Sequence, residues 1–82
     1  RHTARRVAAR RIAMYLCHVG FGMSMARVGT VFERDRATVG QACRLVEDRR
    51  DMPRFEGLII VLEEAVRAIP EPCEELQALL LS

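Results

Sequence analysis

Residues 32–44 read FERDRATVGQACR. Two arginines flank an aspartate just before a segment in which Val39, Ala42, Cys43 and Val46 recur at i, i+3, i+4 and i+7. That period marks one face of an α-helix. Asp35 stands where a helix N-cap belongs, so a helix is expected from Asp35 to about Arg50. With the four apolar residues facing inward, the opposite side presents Arg36, Ala37, Gly40, Gln41, Arg44 and Asp48.

The same period recurs on both sides. Upstream, Ser24 is a candidate N-cap for a short helix with Met25, Val28, Gly29 and Phe32 inside. Before it, Gly20 and Gly22 end a first helix of roughly Thr3 to Val19, whose inner face reads Ala8, Ile12, Tyr15, Leu16 and Val19. Downstream, Pro53 opens a fourth helix with a wide apolar stripe of Phe55, Leu58, Ile59, Leu62, Val66 and Ile69. Pro70 and Pro72 then punctuate, and a short fifth helix is expected to carry Cys73, Leu76 and Leu80, with the Leu79–Leu81 run packed back on the core. No strand-like alternation persists. The expectation is an all-α fold: one small helix-turn-helix bundle of about five helices spanning 1–82.

Eighty-two residues are near the lower limit for a core without staples. Cys17, Cys43 and Cys73 are odd in number and too widely spaced for a disulfide framework or zinc knuckle, so each is read as a small buried hydrophobe. His2 and His18 have no second ligand nearby, and no metal or cofactor is expected. No apolar run approaches a bilayer span and no secretory core is evident, so neither a membrane nor a small-molecule substrate is expected as a partner and a cytoplasmic, nucleoid-associated location is. The start at Arg1 rather than Met leads us to expect further sequence beyond the ends.

Charge separates along the chain. Residues 1–50 hold eleven arginines against four acids, a balance of +7, and residues 51–82 hold two against seven, a balance of −5. There is no lysine. A basic half built only of arginine favours a partner with phosphates or base edges, because the planar guanidinium binds both bidentately. A helix carrying Arg, Asp, Thr and Gln near its N-terminus, with small residues between them and a short helix before it, fits a helix-turn-helix reader whose first residues meet base edges in the major groove. Arg can fork onto guanine O6 and N7, Asp can accept from cytosine N4, and a methyl group can meet that of thymine. The Thr38 hydroxyl and the helix N-terminus can bind phosphate oxygens. Arg10 and Arg11, with Arg5 and Arg6 upstream, can bind flanking backbone or enter the minor groove.

The stretches RRIAMYL (10–16), Ser24, MARVG (25–29), Phe32, RDRATV (34–39) and QACRLVE (41–47) together resemble the C-terminal DNA-binding domain, domain IV, of the bacterial replication initiator DnaA. The resemblance covers residues 10 to about 50. It implies that Arg34 and Asp35 are the Arg-Asp pair at the front of the recognition helix, with Asp35 approaching a base edge as well as capping. It implies a backbone contact for Thr38, core positions for Ala42, Cys43 and Val46, and a phosphate-side role for Arg44. One of Arg6, Arg10 and Arg11 would enter the minor groove. The chain departs from the family pattern at the reading face: Arg36 replaces a His, Ala37 the first Thr and Gln41 the second His. Glu33 alone replaces a Gly-Gly turn, one residue shorter.

Those departures imply a moved target sequence. The Arg-rich pattern resembles more closely the small alphaproteobacterial regulators of this type, including activators of gene transfer agent genes. The expected function is therefore sequence-specific binding of double-stranded DNA through Arg10, Arg11, Arg34, Asp35, Arg36, Ala37, Thr38, Gln41 and Arg44, as part of a transcription regulator. RNA polymerase or another regulator subunit is the further partner expected, outside the basic face. The alternative is the DNA-binding domain of a DnaA-type initiator, whose ATPase would lie elsewhere because no phosphate-binding loop is present. A second alternative is a protein-interaction bundle using the Phe55–Ile69 stripe. No enzyme is expected, since neither a nucleophile–base pair nor a catalytic carboxylate cluster stands out.

Overall fold

The computed structural model describes residues 2–69, and all four of its α-helices follow from local sequence. Helix α1 spans His2–Tyr15, α2 Met25–Phe32, α3 Arg36–Arg49 and α4 Pro53–Arg67. The fold is all-α, with no strand among the described residues. The expected fifth helix, Cys73 and the Leu79–Leu81 run lie outside the described residues.

The caps fall where the residue types put them. The Ser24 hydroxyl accepts from the Arg27 amide at 3.1 Å and starts α2. The Asp35 carboxylate accepts from the Thr38 amide at 2.7 Å and starts α3. Pro53 occupies the first turn of α4, where its missing N–H costs nothing.

Two features of α1 differ from a plain amphipathic helix. After Tyr15 the chain widens into a π-helical turn, Leu16–Gly20, closed by the Phe21 amide on the Leu16 carbonyl at 3.1 Å. One residue more per turn rotates the side chains that follow. Cys17 is therefore buried, while Val19, expected inside, is 47% exposed. His18 Nδ1 lies 2.6 Å from the Met23 carbonyl and ties the turn to the lead-in of α2. The buried arc of α1 is also shifted: Ala13, Met14, Tyr15 and Cys17 form the core, with Ile12 and Leu16 partly covered.

Helix α3 is the centre of the bundle, packed chiefly against α1 and next against α2. Val39, Ala42, Cys43 and Val46 are buried as their spacing requires, beside Val28, Val31 and Phe32 of α2. Burial pushes the thiols of Cys17 and Cys43 up, and both are free. Helix α4 joins mainly through the π turn, where Val66 lies against Gly20. A Cβ on Gly20 would sit 2.8 Å from Val66 Cγ1, so a side chain there would push α4 away. Of the expected α4 stripe, Phe55, Ile59 and Val66 are buried, whereas Leu58 is 48% exposed.

Arg50 ties three helices together at the end of α3. Its guanidinium donates to both carboxylate oxygens of Glu56, to Glu63 at 3.1 Å and to the Tyr15 hydroxyl at 2.7 Å. The Tyr15 hydroxyl in turn donates to Glu47 at 3.1 Å. Its neighbour Arg49 stacks over the Phe55 ring, 4.5 Å from the centroid.

The turn between α2 and α3 has no room to spare. Glu33 takes the left-handed conformation, φ 57°, ψ 47°, and the Arg34 amide donates to the Gly29 carbonyl at 2.8 Å while the Glu33 amide reaches Thr30 at 3.4 Å. This pair of bonds is a Schellman ending, a role usually filled by glycine. A Cβ on Gly29 would stand 2.5 Å from the Arg34 carbonyl oxygen. Two substitutions should therefore act in opposite directions. Gly29→Ala is expected to lower unfolding stability by roughly 2 kcal/mol, because a backbone carbonyl must move. Glu33→Gly should raise it by about 1 kcal/mol by removing the left-handed penalty. Urea denaturation followed by circular dichroism measures both.

Candidate nucleic-acid interface

The basic side chains of α1 and the first turns of α3 are not far apart in space, although they are some 25 residues apart in sequence. Arg10, Arg11, Arg34, Thr38 and Gln41 line one open concavity of about 220 Å³. Its floor is apolar: Val7 and Met14 from α1, Ala42 and Leu45 from α3. Five of the nine expected DNA-contacting residues thus share one depression. Leu45 and Met14 were not among the residues expected to matter. Their signal was present, since Met14 follows Arg10 and Arg11 by one helical turn and Leu45 follows Gln41 by four residues.

The other four, Asp35, Arg36, Ala37 and Arg44, lie outside that lining. Arg36, Ala37 and Arg44 are exposed on α3. Ala37, Gln41, Arg44 and Asp48 recur at i, i+4, i+7 and i+11 and form one line along the outer face of the helix. Arg36 stands beside that line in the first turn. Gly40, expected on this outer face, is instead buried, and a Cβ there would meet Met25 Sδ at 3.7 Å. The position is therefore covered by α2 rather than open to a ligand.

Local bonding divides the charged residues into two groups. The Arg34 guanidinium folds back on its own turn, donating to the carbonyls of Phe32 at 3.3 Å and Glu33 at 3.0 Å. Asp35 is held by its cap; the neighbouring Thr38 hydroxyl and the hydrogen bond from the Thr38 amide keep its carboxyl below the usual carboxylate range. By contrast, no hydrogen bond or ion pair among the described residues engages the side chains of Arg36, Gln41 or Arg44. Both described ion pairs belong to Arg50, on the side of Glu56 and Glu63. The acids of α4 that bond Arg50 therefore do not neutralise the reading face of α3. Such a surface, cationic, with a helix N-terminus exposed and free donors in its first turns, can take phosphate oxygens and base edges.

No group of three or more His, Cys, Asp or Glu among the described residues is placed to hold a metal ion. No helix among them is long and apolar enough to cross a membrane.

Comparison with known proteins agrees with this geometry. The family described as bacterial dnaA protein helix-turn-helix matches residues 1–46. A curated relative, the chromosomal replication initiator protein DnaA 1 of Chlamydia pneumoniae, is 42% identical over 43 residues, covering 52% of this chain. The matched part is 9% of that protein's own length. No solved structure matches.

The Asp35 cap gives a pH dependence. A carboxyl depressed in the folded state contributes stability above its unfolded value, about 3.9, and that contribution disappears as pH falls through the lower folded value. Asp35→Asn retains an N-cap acceptor without titrating. The stability difference between wild type and Asp35→Asn should be constant from pH 7 to 5. It should then shift against the wild type below about pH 4, as read from urea midpoints across that range.

Proposed function

The chain belongs to the bacterial DnaA helix-turn-helix family, and on that footing we propose that it binds double-stranded DNA sequence-specifically as part of a transcription regulator. It acts by binding rather than catalysis, in the cytoplasm on the nucleoid. The observation that carries this reading is the single concavity joining Arg10 and Arg11 of α1 to Thr38 and Gln41 of α3, beside unengaged Arg36 and Arg44. In the proposed complex, α3 lies in the major groove with its first turns toward the bases. Arg36, Ala37 and Gln41 face base edges, Thr38 and Arg44 face phosphates, and Arg34 with Asp35 shapes the start of the helix. Arg10 and Arg11 bind the flanking backbone or minor groove from the neighbouring wall.

A regulator is favoured over the replication initiator by what stands at the reading positions. Arg36, Ala37 and Gln41 occupy places where the family pattern has His, Thr and His, while the Arg-Asp pair, the capping and the buried α3 positions agree with the pattern. An initiator domain must bind its own box; three changed reading positions support a different target. Gene transfer agent activators are the regulators this chain resembles in its arginine content. The alternative, a DnaA-type initiator domain, predicts preferential binding to the initiator box.

One observation favours a second activity. Ala9, Ile12, Ala13, Leu16, Cys17, Leu62 and Val66 line an apolar groove of about 300 Å³ between α1 and α4. Leu58 and Val61 are exposed on α4. A protein partner, polymerase or a second regulator subunit, would dock on this side while α3 holds DNA.

Fluorescence anisotropy with labelled duplexes tests the DNA reading. Arg36→Glu should abolish binding while the thermal unfolding curve stays unchanged; a bundle that only docks proteins would be indifferent to it. Arg11→Ala should weaken all duplexes alike and reduce the salt slope by about one. Binding that is equal for every sequence and collapses with salt would overturn sequence-specific regulation and leave only phosphate attraction.

A further inference from the structure

Helix α4 carries two seams of the same spacing, and the bundle covers only one of them. Phe55, Ile59, Leu62 and Val66 follow intervals of four, three and four and are buried or half-buried. Arg54, Leu58, Val61 and Ala65 repeat those intervals one residue earlier, which turns them about 100° round the helix. All four are exposed, Val61 at 62%. We propose that this outward seam is a self-association surface: a second copy of this chain lays its own α4 antiparallel along it, with Arg54 of each copy on Glu64 of the other. The inference goes beyond DNA binding and names a partner for the α4 side of the protein. No α4 residue lines the concavity of Arg10, Thr38 and Gln41, so the seam and the proposed DNA surface use different residues.

Alternating intervals of four and three hold residues on a line that another helix can follow. Charge decides the occupant and its direction. Arg54 sits in the first turn of α4 and Glu64 in the last, each at the end where the helix dipole disfavours its sign. Neither takes part in an ion pair among the described residues. An antiparallel copy answers both faults at once, setting Arg54 beside the C-terminal turn of the other helix and Glu64 beside its N-terminal turn. With the two-fold axis between Leu58 and Val61, Leu58 of one copy meets Val61 of the other. Arg54 then lies across the small Ala65 of the other copy and reaches Glu64 next to it. A parallel copy would instead oppose Arg54 to Arg54.

Gly57 borders the seam, and a Cβ on it would meet nothing within 4 Å. Glycine inside a helix is costly, and no contact within the bundle calls for it; the close approach of a second helix does. The seam is short. Fifteen residues make a helix about 22 Å long, and one such pair covers less than the roughly 800 Å² per partner of a standard interface. Association is therefore expected to be weak, in the high micromolar range.

The test is sedimentation equilibrium of the full chain over a concentration series that reaches the millimolar range. A monomer–dimer equilibrium is expected. Arg54→Glu should weaken it on the order of tenfold, as should Glu64→Arg. The doubly substituted R54E/E64R chain should recover the wild-type constant. Mixing the two single variants should restore dimers that contain one copy of each, and Val61→Glu should remove association. Circular dichroism melts check that every variant keeps the fold, and anisotropy on duplex DNA, measured alongside, keeps the two readings apart. A chain that stays monomeric at the highest concentration overturns the inference. So does a dimer indifferent to Arg54→Glu, or one that the double exchange fails to restore; neither result bears on DNA binding.

Discussion

The rest of the structure depends on a single close approach, the Arg34 carbonyl over the Cα of Gly29. Only a residue without a Cβ fits there, since one would lie 2.5 Å from that oxygen. The approach lets α2 stop abruptly at a left-handed Glu33 and puts the N-cap of α3, Asp35, only two residues later. A looser turn would separate Met25, Val28 and Phe32 from the α3 positions they cover. It would also detach the N-terminus of α3 from its fixed relation to α1. Glu33 in a conformation better suited to glycine shows that the chain tolerates backbone strain to keep this turn short.

Charge is distributed with comparable consistency. Arg50 gathers Glu56, Glu63 and Tyr15 on one side of the bundle, so the acids that meet it are used internally to join α4 and α1 to the end of α3. Glu56 is thereby held below the usual carboxylate range, and burial raises the Tyr15 hydroxyl above its ordinary value. The arginines of α1 and the start of α3 keep their charge turned outward. The separation of basic and acidic halves in the sequence thus becomes a division between a ligand-facing surface and a joining surface. That arrangement also explains how a domain of net charge +2 presents a strongly cationic face.

At the reading face, the structure divides residues that look equivalent in the sequence. Arg34, Arg36 and Arg44 are all exposed arginines on or beside one helix. Arg34 completes the turn, whereas Arg36 and Arg44 are free. The apolar floor from Met14, Val7 and Leu45 beneath Arg10 and Gln41 gives the long polar side chains a surface to lie along. Functional and structural roles in so small a domain are therefore assigned by hydrogen-bond partners rather than by residue type.

Much of this was legible in the linear sequence, because short-range rules govern short helices. The caps Ser24, Asp35 and Pro53, the buried set Val39, Ala42, Cys43 and Val46, and the all-α class follow from residue chemistry and a 3.6-residue period alone. The cationic half was legible by counting. Other features required the folded chain. The π turn that turns Val19 outward depends on how α1, α2 and α4 meet, and so does the shift of the buried arc toward Met14. Gly40 reads as an open position on a helical wheel, yet it is closed by Met25 from another helix. The convergence of Arg10 and Arg11 with Thr38 and Gln41 is likewise a tertiary fact. Periodicity records which face of a helix is apolar, which the sequence by itself determines; which neighbour covers that face, and which donors remain free afterward, depends on distances between segments that only the tertiary structure decides.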